Sequence, residues 1–230
     1  MLEVLMAQMR SAGGPMLVAL FAVSIAATAV TIFKILQFRR MGVGRSRFAR
    51  TAVSIWAAGD RVRALETARS EVSPTSATVI AAMASLLRYP DDRDRAKELA
   101  AQAALDELTS MSRHLRILES VVQAAPMMGL LGTVIGMIVA FGELSAAGGA
   151  IDPAALATGI WAALLTTAAG LAVAIPFYFV SVWFDSRVEE ERSTMEAAIG
   201  AVLFSSAGDA THRSEAAAWQ PDVAAAPAGT

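Results

Sequence analysis

Three threonines sit where the sequence otherwise avoids polarity. Thr133 lies between Glu119 and Glu143, and Thr166 and Thr167 lie between Asp152 and Asp185; neither stretch contains a charged residue. A hydroxyl both donates and accepts, so a group of them can line a conduit and hold a file of water. What it cannot do is exchange its proton near neutral pH. Proton relays inside membranes use Asp, Glu or His, and His114 and His212 fall outside both stretches. The residues therefore suit a channel wall but not a proton carrier, and a titratable group would have to come from another chain. The plainer alternative is that each threonine bonds a carbonyl of its own helix four residues back and does nothing more.

Small residues surround these hydroxyls at helical spacing. Ala125, Gly129, Gly132, Gly136 and Ala140 recur at intervals of 4, 3, 4 and 4, and Gly159, Ala163, Thr167, Gly170 and Ala174 at 4, 4, 3 and 4. Each set forms one narrow stripe on a helix, with Thr133 flanking the first and Thr167 inside the second. In lipid, helices associate where small side chains let their backbones approach. Pro176 removes the hydrogen bond to the Ala172 carbonyl and bends the second of these helices.

The elements that position the stripes follow from the spacing of charge. With 55% hydrophobic and 17% charged residues, the composition points away from a soluble globule. Uncharged gaps run from Arg10 to Lys34, from Glu119 to Glu143 and from Asp152 to Asp185, and each exceeds the roughly 20 residues a helix needs to cross the hydrocarbon core. The fold class expected is an all-α membrane protein with three transmembrane helices. The first gap is longer than the core of a secretory signal and is followed by basic residues, so it is read as an uncleaved anchor.

Lys34, Arg39, Arg40, Arg45, Arg47 and Arg50 follow the first span with no acid among them, whereas Glu143 to Asp152 contains two acids and no base. The positive-inside bias then puts residues 34–119 and the C-terminus in the cytoplasm. The segments expected are an exterior terminus over 1–13, spans over 14–33, 120–142 and 156–184, a cytoplasmic helical region over 34–119, and an exterior loop over 143–155. A helical extension over 185–204 and a disordered tail over 205–230 complete them, the tail being too rich in Ala, Pro, Gly and Ser to bury a core.

Within the cytoplasmic region, short helices are punctuated by Gly59-Asp60 and by Ser73-Pro74, where Ser73 can cap a helix that Pro74 begins. Tyr89-Pro90-Asp91-Asp92 ends one helix and starts the next. Leu105, Leu108, Met111, Leu115, Leu118 and Val122 then recur at 3, 3, 4, 3 and 4, predicting one continuous helix from about Asp92 to Phe141. Glu189, Glu190 and Glu191 read as a solvated helix face. Two long helices with protruding ends and a short connection have little interior of their own, so neighbouring copies are expected to supply packing surfaces.

A net charge of −2 argues against a nucleic-acid surface, and topology with anionic lipid head groups accounts for the one basic run. There is no cysteine, hence no disulfide frame or thiolate metal site. No HExxH, convergent Ser/His/Asp set or strand-borne glycine loop is present, which points away from an enzyme, and no cofactor or metal is expected.

The stretches "APMMGLLGTVIGMIVAF" from Ala125 and "ATGIWAALLTTAAGLAVAIP" from Ala157 to Pro176 resemble the MotA/TolQ/ExbB proton-channel family, in its three-span ExbB and TolQ branch, with the wording of the second favouring ExbB. The resemblance covers roughly residues 110–200. It implies a homopentameric ring in the bacterial inner membrane whose second and third spans line a pore. Inside would stand a dimer of a one-span ExbD- or TolR-like partner bringing the missing aspartate, with work passed to a TonB-like or TolA-like protein. On that mapping Thr133 and Thr167 are pore hydroxyls, Thr166 is a weaker neighbour, Pro126 and Pro176 shape the helices, and Gly129, Gly132, Gly136, Gly159 and Gly170 pack them. Many family members carry a glutamate where this chain has Ala162, so the lining here is wholly uncharged. The rival readings are a TolQ-type role in envelope maintenance and a passive membrane scaffold.

Overall fold

The computed structural model describes residues 14–146 and 153–218. The expected exterior terminus, residues 147–152 of the expected loop and residues 219–230 of the expected tail lie outside them. Among the described residues there are seven helices: α1 (Gly14–Met41), α2 (Arg47–Ala57), α3 (Arg61–Arg69), α4 (Pro74–Arg88), α5 (Arg93–Ser112), α6 (Leu115–Ala146) and α7 (Pro153–Ala218). Three of them, α1, α6 and α7, are long and apolar enough to cross a membrane.

Local chemistry explains most of the boundaries. α1 stops at Gly42, whose φ of +69° suits glycine and where any Cβ would collide with the Val72 carbonyl. Gly59, at φ +91°, separates α2 from α3, and the Asp60 carboxylate accepts from the Arg63 N–H at 3.0 Å to cap the new helix. Ser73 caps α4 by accepting from the Ser76 N–H at 3.1 Å, with Pro74 as its first residue. Asp92 accepts from the Arg95 N–H at 3.0 Å at the start of α5.

The structure departs from the sequence reading at three places. The single helix expected from Asp92 to Phe141 is broken after Ser112, where His114 adopts φ +71°. Of the expected stripe, Met111, Leu115 and Leu118 are buried while Leu105 is exposed, and Ala96, Ala100 and Ala104 complete the buried side of α5. At the other end, α7 runs through Ala218, past the end at residue 204 expected for the helical extension. Extending an existing helix costs far less than nucleating one, and no proline intervenes before Pro221. Finally, the three consecutive glutamates do not share a face: Glu189 and Glu190 are exposed while Glu191 is buried.

The chain divides into two compact units, Met1–Arg39 with Ser112–Arg187 and Arg40–Met111 with Val188–Thr230. In the first, a small core joins Leu20 of α1, Ala125 of α6 and Ala174 of α7, flanked by Met128, Ala169 and Val173. Phe38 meets Phe184 edge to face at 5.1 Å. Most large apolar side chains of this unit, among them Leu130, Ile138, Leu164 and Phe179, face outward, as suits a surface meeting lipid or other apolar helices. The second unit has a larger interior in which Trp56, Val79, Met83 and Leu86 pack with Met195, Ile199 and Val202. Ser85 Oγ joins α4 to α5 through the Ala96 carbonyl at 3.0 Å.

Candidate functional site

The two small-residue stripes face each other within one hairpin. A Cβ added at Gly129 would lie 2.9 Å from the Thr166 carbonyl oxygen and 3.0 Å from Thr167 Cα, and one at Gly132 would lie 2.5 Å from Thr166 Oγ1. Further along, Gly136 meets Ala163, Gly159 meets Ala140, and Gly170 meets the backbone of Ala125 and Gly129. The pairing is antiparallel and steady in register. The stripes thus find their partner inside the chain, and what is left for other surfaces is the outward set of large apolar side chains.

This packing orders the three hydroxyls. Thr166 is 0% exposed, with its Oγ1 2.7 Å from the Ala163 carbonyl and 3.2 Å from that of Gly129. Thr167, half-buried, donates across the hairpin to the Gly129 carbonyl at 3.1 Å. Thr133, also half-buried, donates to Leu130 in its own helix at 2.7 Å. Gly129 is where two of the hydroxyls converge, because without a side chain it lets α7 come close enough for their oxygens to reach its carbonyl. Thr133 stands apart from that pair.

Burial thus reverses the two neighbouring threonines. Thr166 packs centrally and Thr167 lies toward the open side, whereas the sequence stripe had placed Thr167 at the centre. Ala163, Thr166, Gly170 and Ala174 are the buried positions of this face, at spacings of 3, 4 and 4. Pro126 is half-buried within α6 and Pro176 exposed within α7, and both helices continue through them. Ala162 is half-buried and Trp161 is 67% exposed.

A second polar feature, in the other unit, escaped the reading by residue type. Glu191 is 4% exposed; one carboxylate oxygen accepts from the Thr75 hydroxyl at 2.6 Å and the other from the Gly44 N–H. It therefore fastens α7 to the start of α4 and to the turn after α1. Spacing could have found it, since Phe184, Val188, Glu191, Met195, Ile199 and Val202 recur at 4, 3, 4, 4 and 3, placing Glu191 on the apolar stripe.

The sequence profile of the MotA/TolQ/ExbB proton channel family matches residues 71–197. The chain belongs to that family. A putative biopolymer transport protein ExbB homolog of Methanothermobacter thermautotrophicus is 37% identical over 105 residues, 46% of this chain and 37% of the relative. A putative biopolymer transport protein ExbB-like 1 of Synechocystis is 39% identical over 122 residues, covering 51% and 46%. The biopolymer transport protein ExbB of Neisseria gonorrhoeae is 31% identical over 184 residues, covering 71% and 80%. The chain therefore spans less than half the length of the first two relatives and most of the third. These relatives are named as biopolymer transport proteins, and the family is described as one of proton channels.

Proposed function

We propose that this chain forms the ring of an inner-membrane proton-driven motor, a homopentamer enclosing a dimer of one-span ExbD-like partners, and that it energises TonB-dependent transport across an outer membrane. The basic run after α1 sets the orientation, with the unit containing α2 to α5 in the cytoplasm. The observation that carries the reading is the meeting of hydroxyls with an absence of acid. Thr166 and Thr167 gather on the Gly129 carbonyl and Thr133 lies along the same hairpin, yet neither spanning stretch has an Asp, Glu, His, Lys or Arg.

In this reading the partner's carboxylic acid carries the proton, and Thr133 and Thr167, the half-buried pair, are the hydroxyls it passes. Thr166, already enclosed, holds the two helices in register. A proton driven by about 150 mV releases about 3–4 kcal/mol, which is usable when a carboxylate alternates between charged and neutral beside a wall that accepts both. Ala162 keeps that wall uncharged where many family members have a glutamate.

The passive-scaffold reading draws on the same bonds, because hydroxyls that satisfy backbone carbonyls also serve simple packing. Proton flux into vesicles separates the two. The motor reading expects flux only when chain and partner are reconstituted together, and its loss in Thr133→Val with Thr167→Val while the oligomer stays intact. Rapid flux through the chain alone, or coupled work that survives the double substitution, would defeat it.

A further inference from the structure

Pro126 lies inside α6 and the helix continues through it. A proline has no N–H to give, so the carbonyl of Val122, four residues earlier, loses its helical donor. The hydroxyls nearby are engaged elsewhere: Ser120 donates to Arg116, Thr133 to Leu130, Thr166 to Ala163 and Thr167 to Gly129. A backbone acceptor opened in this way within a spanning helix calls for a donor from outside the helix, and water is the smallest one.

The position of α1 fixes which way this acceptor faces. Leu20 of α1 joins the hairpin core that Met128, Ala169 and Val173 flank, and Met16 of α1 approaches Gly132. At about 100° per residue, Pro126 stands about 160° round α6 from Met128, and Tyr178 stands about 140° round α7 from Val173. Both therefore lie on the flank away from α1. Thr133 and Thr167 share it, because seven residues separate Pro126 from Thr133 and eleven separate Thr167 from Tyr178, close to two and three whole turns. The two helices are antiparallel, so Pro126 and Tyr178 are displaced from the threonines toward the same end of the hairpin. On the orientation proposed above, that end is cytoplasmic. Pro176 frees the Ala172 carbonyl likewise, but Ala172 lies about 140° round α7 from Thr167, off this flank.

Tyr178 is 53% exposed, and among the described residues its hydroxyl has no hydrogen bond, its ring meeting only that of Phe179 at 5.6 Å. Unlike the hydroxyls of Thr133 and Thr167, it still has its hydrogen to give. We infer that the Val122 carbonyl and the Tyr178 hydroxyl hold the last waters of the conduit, between the threonines and the cytoplasm. The inference rests on the motor reading, which supplies the proton, and adds the exit. The carbonyl accepts from a water and keeps it in place. The phenol oxygen takes a proton from such a water while its own hydrogen passes to the next, so Tyr178 begins and ends neutral.

The test uses the full-length protein in lipid bilayers. Val122-Gln123 is the one Val-Gln pair in the chain, so carbonyl-13C valine with 15N glutamine isolates this carbonyl in solid-state NMR, and magnetisation transferred from water reports its hydration. Wild type should show water at Val122, and Pro126→Ala, which restores the N–H, should remove it. In vesicles carrying the chain and its one-span partner, Tyr178→Phe and Pro126→Ala should each lower proton flux about tenfold, the scale of one lost hydrogen bond. Adding Val122→Thr to Pro126→Ala puts an acceptor back on the same flank and should restore flux, which a proline needed only for helix shape would not allow. Tyr178→Phe keeps the ring and should melt as wild type does. A dry Val122 carbonyl in wild type, undiminished flux in Tyr178→Phe, or no recovery with Val122→Thr overturns the exit and spares the motor. No partner-dependent flux in wild type overturns the motor reading and the exit with it.

Discussion

Where α6 meets α7 the nearest approaches are backbone to backbone, with Gly129 against Thr166 and Thr167 and with Gly170 against Ala125. In the other unit, helices are held apart and together by Trp56, Met83, Met195 and Val202. The contrast follows from what each unit can gain. Apolar side chains leaving water stabilise a core by about 25 cal/mol per Å², but helices already in an apolar medium gain nothing by that route and rely on close fit and hydrogen bonds. Polar groups divide accordingly: the hairpin holds neutral hydroxyls bonded to carbonyls, while the other unit accommodates a buried carboxylate because a hydroxyl and a backbone N–H are brought to it. Fit dominates one region and burial the other.

The sharpest way to break this contrast is Gly129→Leu, whose branched side chain meets backbone that has no room to yield. It should cost roughly 3 kcal/mol or more and prevent the α6–α7 hairpin from closing, read as lost resistance to thermal unfolding in detergent. Gly142→Ala, on the same helix with nothing within 4 Å, is the control and should be neutral or slightly stabilising. Next in size is Glu191→Ala, which leaves the Thr75 hydroxyl and the Gly44 N–H without their acceptor. A loss of about 2–3 kcal/mol is expected, against less than about 0.5 kcal/mol for the exposed Glu189→Gln, measured by the same melts.

Thr166→Val keeps the shape and removes one donor, so a loss near 1 kcal/mol is expected. A much larger one would mean that the hairpin depends on that bond more than on fit. The smallest effect is electrostatic. Burial first, and the neighbouring Asp106 charge second, push the Glu107 carboxyl up. The folded state then holds this proton more tightly than the unfolded chain, so its contribution is present at pH below the usual carboxylate range and is lost as pH rises through the raised value. Glu107→Gln should remove that step from a plot of melting temperature against pH and, given the partial exposure of the site, raise the neutral-pH value by about 1 °C.

Features governed by short-range rules were legible in the sequence. The charge-free gaps marked three helices able to span a bilayer, Ser73-Pro74 and Gly59-Asp60 announced their helix boundaries, and the two glycine stripes were visible with nearly their observed membership. The break at His114 was not, because histidine is enriched among left-handed residues too weakly to mark one inside a helical pattern. Burial of Glu191 was obscured by two glutamates beside it, although consecutive helical residues point about 100° apart. The reversal of Thr166 and Thr167 had the same origin, since both fit a small-residue stripe within one position and only the facing helix decides which is enclosed. What the sequence could not convey, in each case, was the identity of the surface opposite.

A hydroxyl whose hydrogen is held by a carbonyl has only lone pairs left to present. Thr133 gives its hydrogen to Leu130 and Thr167 gives its own to Gly129, so both oxygens face their surroundings as receivers. A neutral carboxylic acid drawn alongside can hand its hydrogen to either of them, whereas the ionised form arrives with lone pairs of its own and is turned away. On the motor reading proposed above, two charge states of one acid would be told apart by a surface that bears no charge.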